Sequence, residues 1–152
     1  MLPHPAARSI VAAFVYGALL LTIYVATGPF RVRILDPVLG GVTGAAVEAA
    51  LFMPVIVIGG IAVPALLRIA DRPAAPLWTG IIALGLFLVA DAAIAVWLCG
   101  LSAAEHLMRF TAAPGWIQGA TLVFFALFPW LWWRTDRGGC DSIAPALPQL
   151  RR

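Results

Sequence analysis

Four stretches of apolar residues, each long enough to cross a lipid bilayer, occupy most of this chain. A transmembrane helix needs about 20 mainly apolar residues, and the stretches run from about residues 9 to 27, 41 to 69, 77 to 101 and 116 to 133. Too little of the 152-residue chain remains for a second globular domain. The sequence therefore predicts an all-α integral membrane bundle of four transmembrane helices, formed by residues 1–137.

The composition excludes several classes of protein. Only 11% of the residues are charged, whereas soluble domains carry about 25%. The ten basic residues are all arginines beside span ends, with no basic stripe interleaved with aromatics, so we expect no nucleic-acid partner. The two histidines, His4 and His106, fall at opposite ends of the bundle, and nucleotide-binding and CxxC motifs are missing. We therefore expect neither a cofactor nor a bound metal.

The distribution of arginines predicts the orientation in the membrane. One side carries three, and the other carries seven, namely Arg8, Arg68, Arg72, Arg134, Arg137, Arg151 and Arg152. The positive-inside rule places both termini in the cytoplasm. The Arg-only, Ala/Gly/Pro-rich composition favours a bacterial inner membrane. A signal peptide is the alternative for the first span, but the run exceeds the usual 7–15 residues, so we expect it to be uncleaved.

The connections between the spans are predicted to be short. Gly28-Pro29 should end the first helix, leaving residues 28–40 as a polar connection. Ser102 and Glu105 have the spacing of a capping box and predict a short interfacial helix between spans 3 and 4. Pro114-Gly115 should end that helix. Residues 138–152, rich in Pro and Gly, are predicted to be a disordered tail.

Two carboxylates inside the spans are the main candidates for a functional site. Glu48 and Asp91 should lie at a similar depth, about 10–15 Å below the outer surface at 1.5 Å per residue. An acidic residue at the centre of a span costs about 2.5–3.5 kcal/mol, so matching depths suggest a shared polar pocket. We expect Glu48 to form its floor, with Arg31 and Arg33 at its rim. The candidate ligand-binding set is Arg31, Arg33, Glu48, Asp91, Glu105, His106 and Arg109.

Each candidate also has a purely structural interpretation. Glu48 and Asp91 could be neutral packing residues, or could pair with Arg31 or Arg33 reaching down from above. Glu105 has the position of a helix cap. His106 is either an ordinary interfacial residue or a proton carrier or metal ligand. A face of small residues beside Glu48 is typical of close helix packing, and it comprises Gly41, Gly44, Ala45 and Ala49.

Three functions fit this pattern. The first is a non-enzymatic membrane protein, either an accessory or assembly subunit or a binder of a lipidic ligand, with membrane lipid, a membrane-protein partner or a second copy as its partner. The second is a membrane-embedded enzyme acting on a lipid or isoprenoid-like substrate, with Glu48 and Asp91 as catalytic acid and base. The third is a small proton-coupled transporter, which the scarcity of polar residues in the inner half disfavours.

Several motifs resemble a group of small bacterial four-span inner-membrane proteins. The motifs are GLSAAEHL at residues 100–107, Gly115, FFALFP at residues 124–129, and the segment from Gly41 to Glu48. The resemblance covers the last three spans. It implies the same four-span topology and carries no activity.

Overall fold

The protein is a bundle of helices, described by a computed structural model for residues 5–69 and 74–141, with side chains from 7 to 69 and from 74 to 136. The described residues contain no β-strand, which confirms the all-α prediction. In chain order the α-helices are α1 (Pro5–Phe30), α2 (Asp36–Leu39), α3 (Gly41–Leu66), α4 (Ala75–Ala93), α5 (Ala103–Met108) and α6 (Ala113–Asp141). Shorter turns complete them, namely the π-helical Arg31–Leu35 and Ile94–Leu98 and the 3₁₀-helical Arg109–Thr111.

Four helical runs are long and apolar enough to cross a membrane. They comprise Ala7–Leu39, Gly41–Leu66, Ala75–Leu98 and Ala113–Asp136. Large apolar side chains cover their outer surfaces, as expected for contact with lipid, and include Phe14, Val25, Ile58, Val89 and Trp116. The length and composition of the helices thus describe a multi-pass membrane protein.

The four long helices form a ring in which α1 and α6 lie diagonally opposite. α1 and α6 each pack against both α3 and α4. Small residues bring the backbones together, because a Cβ atom on Gly80 of α4 would overlap the backbone of Ala126 in α6. In the same way, a Cβ atom on Gly17 of α1 would lie 3.3 Å from the carbonyl oxygen of Ala83 in α4. Such close contacts stabilise the bundle through van der Waals packing, because the hydrophobic effect does not drive helices together in lipid.

The centre of the bundle is filled by Tyr16, which joins three helices. Its ring stacks on Phe125 at 4.4 Å between centroids. Its hydroxyl lies 3.1 Å from the Phe125 carbonyl oxygen and 3.2 Å from that of Ile56, so one proton serves both acceptors. Pro129 has no N–H to donate to Phe125 four residues earlier. The tyrosine therefore satisfies a backbone carbonyl that a helix proline has freed.

The first connection differs from the prediction, because the helix does not end at Gly28-Pro29. It continues through the π-helical turn and α2 as far as Leu39. Pro37 cannot donate to the Arg33 carbonyl, and the π-helical register sends the Asp36 N–H to the Arg31 oxygen instead. The chain then reverses at one residue, Gly40, whose φ of 82° and ψ of 154° suit glycine.

Other boundaries also differ from those predicted. Pro114-Gly115 opens α6 rather than ending the preceding helix, consistent with the preference of proline for the first helical turn. α6 remains helical to Asp141, so residues 138–141 are not an irregular tail, while residues 142–152 lie outside the described part. α5 begins with the predicted capping box, in which Ser102 and Glu105 satisfy each other's backbone N–H groups.

Candidate ligand-binding site

The buried stripe of three different helices becomes polar toward the same end of the bundle. In α3 it runs through Ile56 and Phe52 to Glu48, and in α4 through Ala83 and Phe87 to Asp91. These residues recur every four positions, so they share one helix face. Tyr24 continues the stripe of α1 in the same way. The helix faces that build the core thus also bring the polar groups together.

Glu48 is held by an arginine from the extension of α1. The Arg31 Nη1 donates to Glu48 Oε2 at 2.6 Å, and its Nε lies 3.4 Å from Asp36 Oδ1. The Glu48 side chain is 4% exposed and the Arg31 side chain 12%. Gly44 makes room for this cluster, because a Cβ atom there would overlap the Asp36 carboxylate. Of the alternatives left open for Glu48, the structure shows the ion pair with Arg31.

Asp91 belongs to a second cluster, built from three elements. Its Oδ1 accepts a hydrogen bond of 2.6 Å from the Tyr24 hydroxyl. The His106 Nε2 of α5 lies 3.3 Å from Asp91 Oδ2, which is within ion-pair distance but lacks hydrogen-bond geometry. Both side chains are under 10% exposed, and Asp91 Oδ2 and His106 Nδ1 are buried without a hydrogen-bond partner among the residues that the structure describes. Such groups are costly to bury, so they mark a functional candidate.

A cavity of about 680 Å³ lies between the C-terminal ends of α1 and α4. The two helices touch at Gly17 and Ala83, about two turns before this opening. The π-helical turn that follows each helix supplies part of the wall. Most of the lining is apolar and includes Val25, Pro29, Val32, Ile94, Ala95 and Leu98. π-helical turns are frequent at functional sites, and this volume is typical of small-molecule pockets.

Three arginines and three carboxylates line this cavity, and only some of them neutralise one another. They are Arg31, Arg33, Arg109, Asp36, Glu48 and Asp91. Arg31 forms ion pairs with Glu48 and Asp36. Among the described residues, Arg33 and Arg109 have no ion pair, and both are exposed. Two guanidinium groups therefore remain available to an anionic ligand.

The structure brings together most, but not all, of the predicted site residues. Five line the cavity directly, namely Arg31, Arg33, Glu48, Asp91 and Arg109. His106 is buried behind Asp91 rather than being a plain interfacial residue. Glu105 lies outside the cavity, and its carboxylate accepts hydrogen bonds from the backbone and hydroxyl of Ser102. Those bonds hold the pKa of Glu105 below its ordinary value, and they support the capping role.

Two residues of the candidate site, Tyr24 and Asp36, are not among those predicted from the sequence. Tyr24 could have been found by continuing the four-residue spacing of Tyr16 and Leu20 along α1. Asp36 offered no comparable signal, because Asp36-Pro37 is typical of a turn. Its role depends on the helix continuing past Gly28-Pro29.

The described residues include no group of three metal-ligating side chains that could hold a metal ion. Within the described part of the chain, Glu48 and Asp91 line one cavity without a hydrogen bond between them. Each carboxylate is instead held by its own partners. The arrangement suits the binding of a charged headgroup more readily than proton exchange between the two acids.

Comparison of the chain with protein-family models, curated proteins and solved structures gives no match. Membership of the bacterial four-span group suggested by its motifs therefore stays a prediction. The functional argument rests on the geometry of the cavity.

Proposed function

We propose that this protein is a non-enzymatic membrane protein that binds a lipidic ligand with a phosphate-containing headgroup in the cavity between α1 and α4. The observation that carries the proposal is a largely apolar cavity of about 680 Å³ with two guanidinium groups in its lining that form no ion pair with the described residues. An accessory role toward a partner membrane protein is compatible with such binding.

The walls of the cavity favour a ligand that enters from the membrane. Val32 is 66% exposed and Leu98 is 80% exposed, and both line the cavity and the outer surface of the bundle. An acyl or isoprenoid chain can lie against such side chains without crossing a polar barrier. A small polar solute would lose its hydration there without replacement.

The charged residues favour a phosphate-like headgroup. Arginine binds phosphate through paired N–H groups, and each charge-assisted hydrogen bond contributes about 1.5–3 kcal/mol. Arg31 is already engaged by two carboxylates, which leaves Arg33 and Arg109 for the ligand. The ion pair between Arg31 and Glu48 then shapes the floor of the site instead of binding the headgroup.

We further propose that the protein lies in a bacterial inner membrane with both termini in the cytoplasm. The seven-to-three distribution of arginines supports this orientation through the positive-inside rule. In this orientation the cavity opens toward the outer leaflet. A cysteine-accessibility experiment at Val38, compared with Leu66, tests the sidedness in a variant with Cys99 and Cys140 replaced, because these two exposed side chains lie near opposite ends of α3.

The test of binding is native mass spectrometry of the protein purified in mild detergent with phosphatidylglycerol. The double variant Arg33→Gln/Arg109→Gln should lower the bound-lipid affinity by at least about tenfold, the factor given by about 1.4 kcal/mol. The matched control Arg68→Gln/Arg134→Gln removes the same charge from the opposite end of the bundle and should retain wild-type binding. Equal losses in both variants would contradict a specific site.

A second candidate is a membrane-embedded enzyme acting on a lipid or isoprenoid-like substrate. The observation that favours it is the buried contact between Asp91 and His106, each with an unpartnered polar atom. Such a pair could move a proton at the cavity wall. Turnover of a reconstituted lipid by the wild type, abolished by Asp91→Asn and Glu48→Gln in folded protein, would replace the binding proposal with this one.

A further inference from the structure

We propose that the ligand headgroup is zwitterionic and carries a primary ammonium group beside its phosphate, as an aminophospholipid does. This inference rests on the proposed function and specifies the chemistry of the ligand at the same site. It follows from the charged groups in the cavity lining that are left after internal pairing.

The first step is the charge that remains in the cavity. Arg31, Glu48 and Asp36 satisfy one another in one cluster. The charged lining groups outside this cluster are the guanidinium groups of Arg33 and Arg109 and the carboxylate of Asp91, of which one oxygen, Oδ2, receives no hydrogen bond from the described residues. A ligand that carried only negative charge would complement the two arginines and would be repelled by Asp91.

The second step is the state of the Asp91 carboxylate. Its Oδ1 accepts a hydrogen bond from Tyr24, but its Oδ2 is buried and receives none from the described part of the chain. A buried acceptor of this kind requires a donor, and an ammonium group provides three. His106 lies beside Oδ2 without the geometry to donate a hydrogen bond. A ligand amine can therefore supply the donor that Oδ2 lacks.

The third step is the arrangement of the two charges relative to the apolar walls. Asp91 is 2% exposed and lies on the buried face of α4, whereas Arg33 and Arg109 are exposed. A phosphate between the two arginines, with its amine directed to Asp91, leaves the acyl chains free to follow the apolar side chains of the wall. Phosphoethanolamine has both charges in a single small headgroup.

The experiment varies the ligand and leaves the protein unchanged. Binding to wild-type protein is measured by native mass spectrometry for dioleoyl phosphatidylethanolamine, its N-methyl and N,N-dimethyl derivatives, phosphatidylcholine and phosphatidylglycerol. The acyl chains are constant and the N–H donors fall stepwise to none. We expect affinity to fall along the amine series, with phosphatidylethanolamine binding at least roughly tenfold tighter than phosphatidylcholine.

Two variants connect this preference to Asp91. Asp91→Asn should reduce the ratio of phosphatidylethanolamine to phosphatidylcholine affinity to about one, whereas Glu105→Gln, an acid-to-amide change outside the cavity, should leave the ratio unchanged. The lipid series decides the question even where Asp91→Asn does not fold. Phosphatidylglycerol binding at least as tightly as phosphatidylethanolamine, or equal affinity across the amine series, would overturn the zwitterionic headgroup alone, and no binding of any lipid would overturn the proposed function with it.

Discussion

At the scale of single residues, the end of the bundle that carries Glu48 and Asp91 depends on buried carboxylates that are held by neighbouring helical segments. Glu48 pairs with Arg31, and Asp91 pairs with Tyr24 and His106. A buried ion pair adds little net stability, but removing one partner leaves an uncompensated charge. These contacts therefore determine how the extension of α1 and helix α5 sit over the bundle.

The pair of Arg31 and Glu48 gives a double-mutant prediction. Arg31→Leu alone and Glu48→Leu alone should each lower the free energy of unfolding by about 3 kcal/mol. The double variant should lose clearly less than the sum, because neither charge is left unpaired. Unfolding in mixed micelles of increasing SDS content measures the effect. Arg33→Leu is the control, since its exposed side chain has no ion pair among the described residues; strictly additive losses would refute the coupling.

The lowered pKa of Glu105 predicts a pH-dependent stability of α5. The capping hydrogen bonds favour the ionised carboxylate, so their stabilisation is present above the ordinary glutamate pKa and is lost as the pH falls through the lowered value. Amide hydrogen exchange of residues 103–108, corrected for intrinsic rates, should therefore show less protection near pH 3 than near pH 6. Glu105→Gln keeps a capping side chain at this position and should remove the pH dependence. Identical pH profiles in the two proteins would contradict this assignment.

At the scale of helices, hydropathy predicted the four spans because a bilayer demands long apolar segments. It did not predict that the first helix would continue through Gly28-Pro29 to Leu39. Gly-Pro is a local stop signal, whereas the continuation is stabilised by contacts with α3, including the bond from Arg31 to Glu48. A local sequence pattern carries no information about such long-range contacts. It also does not determine how each helix is rotated about its own axis.

Close packing of α4 against α6 leads to a prediction with a matched control in the same helix. Gly80→Ala should lower the free energy of unfolding by about 1–3 kcal/mol, because the new methyl group overlaps the Ala126 backbone. Gly85→Ala has open space around the new atom and should stabilise by about 0.5–1 kcal/mol through helix propensity. Unfolding in SDS micelles compares the two variants. A stabilising Gly80→Ala would show that the helices do not meet there.

At the scale of the whole molecule, the bundle is closed at its centre and open at one end. Tyr16, Ile56 and Phe125 are almost completely buried, while the cavity begins about two turns further along α1. The sequence could predict that Glu48 and Asp91 lie near the same end of the bundle, since their depths follow from residue counts. The cavity could not be predicted, because it depends on where α1 and α4 separate and on how α5 folds back to place His106 against Asp91.

The measurement that tests the central claim most directly is photocrosslinking of bound lipid inside native membranes. The photoreactive residue p-benzoylphenylalanine replaces either Leu98, which lines the cavity, or Leu66, an equally exposed leucine at the other end of the bundle; both leucines are 80% exposed. Adducts at position 98 should contain one class of anionic or zwitterionic phospholipid and should decrease in the Arg33→Gln/Arg109→Gln background. Adducts at position 66 should match the bulk lipid composition in both backgrounds. The same bulk composition at both positions, unaffected by the arginine substitutions, would contradict a lipid-binding site between α1 and α4.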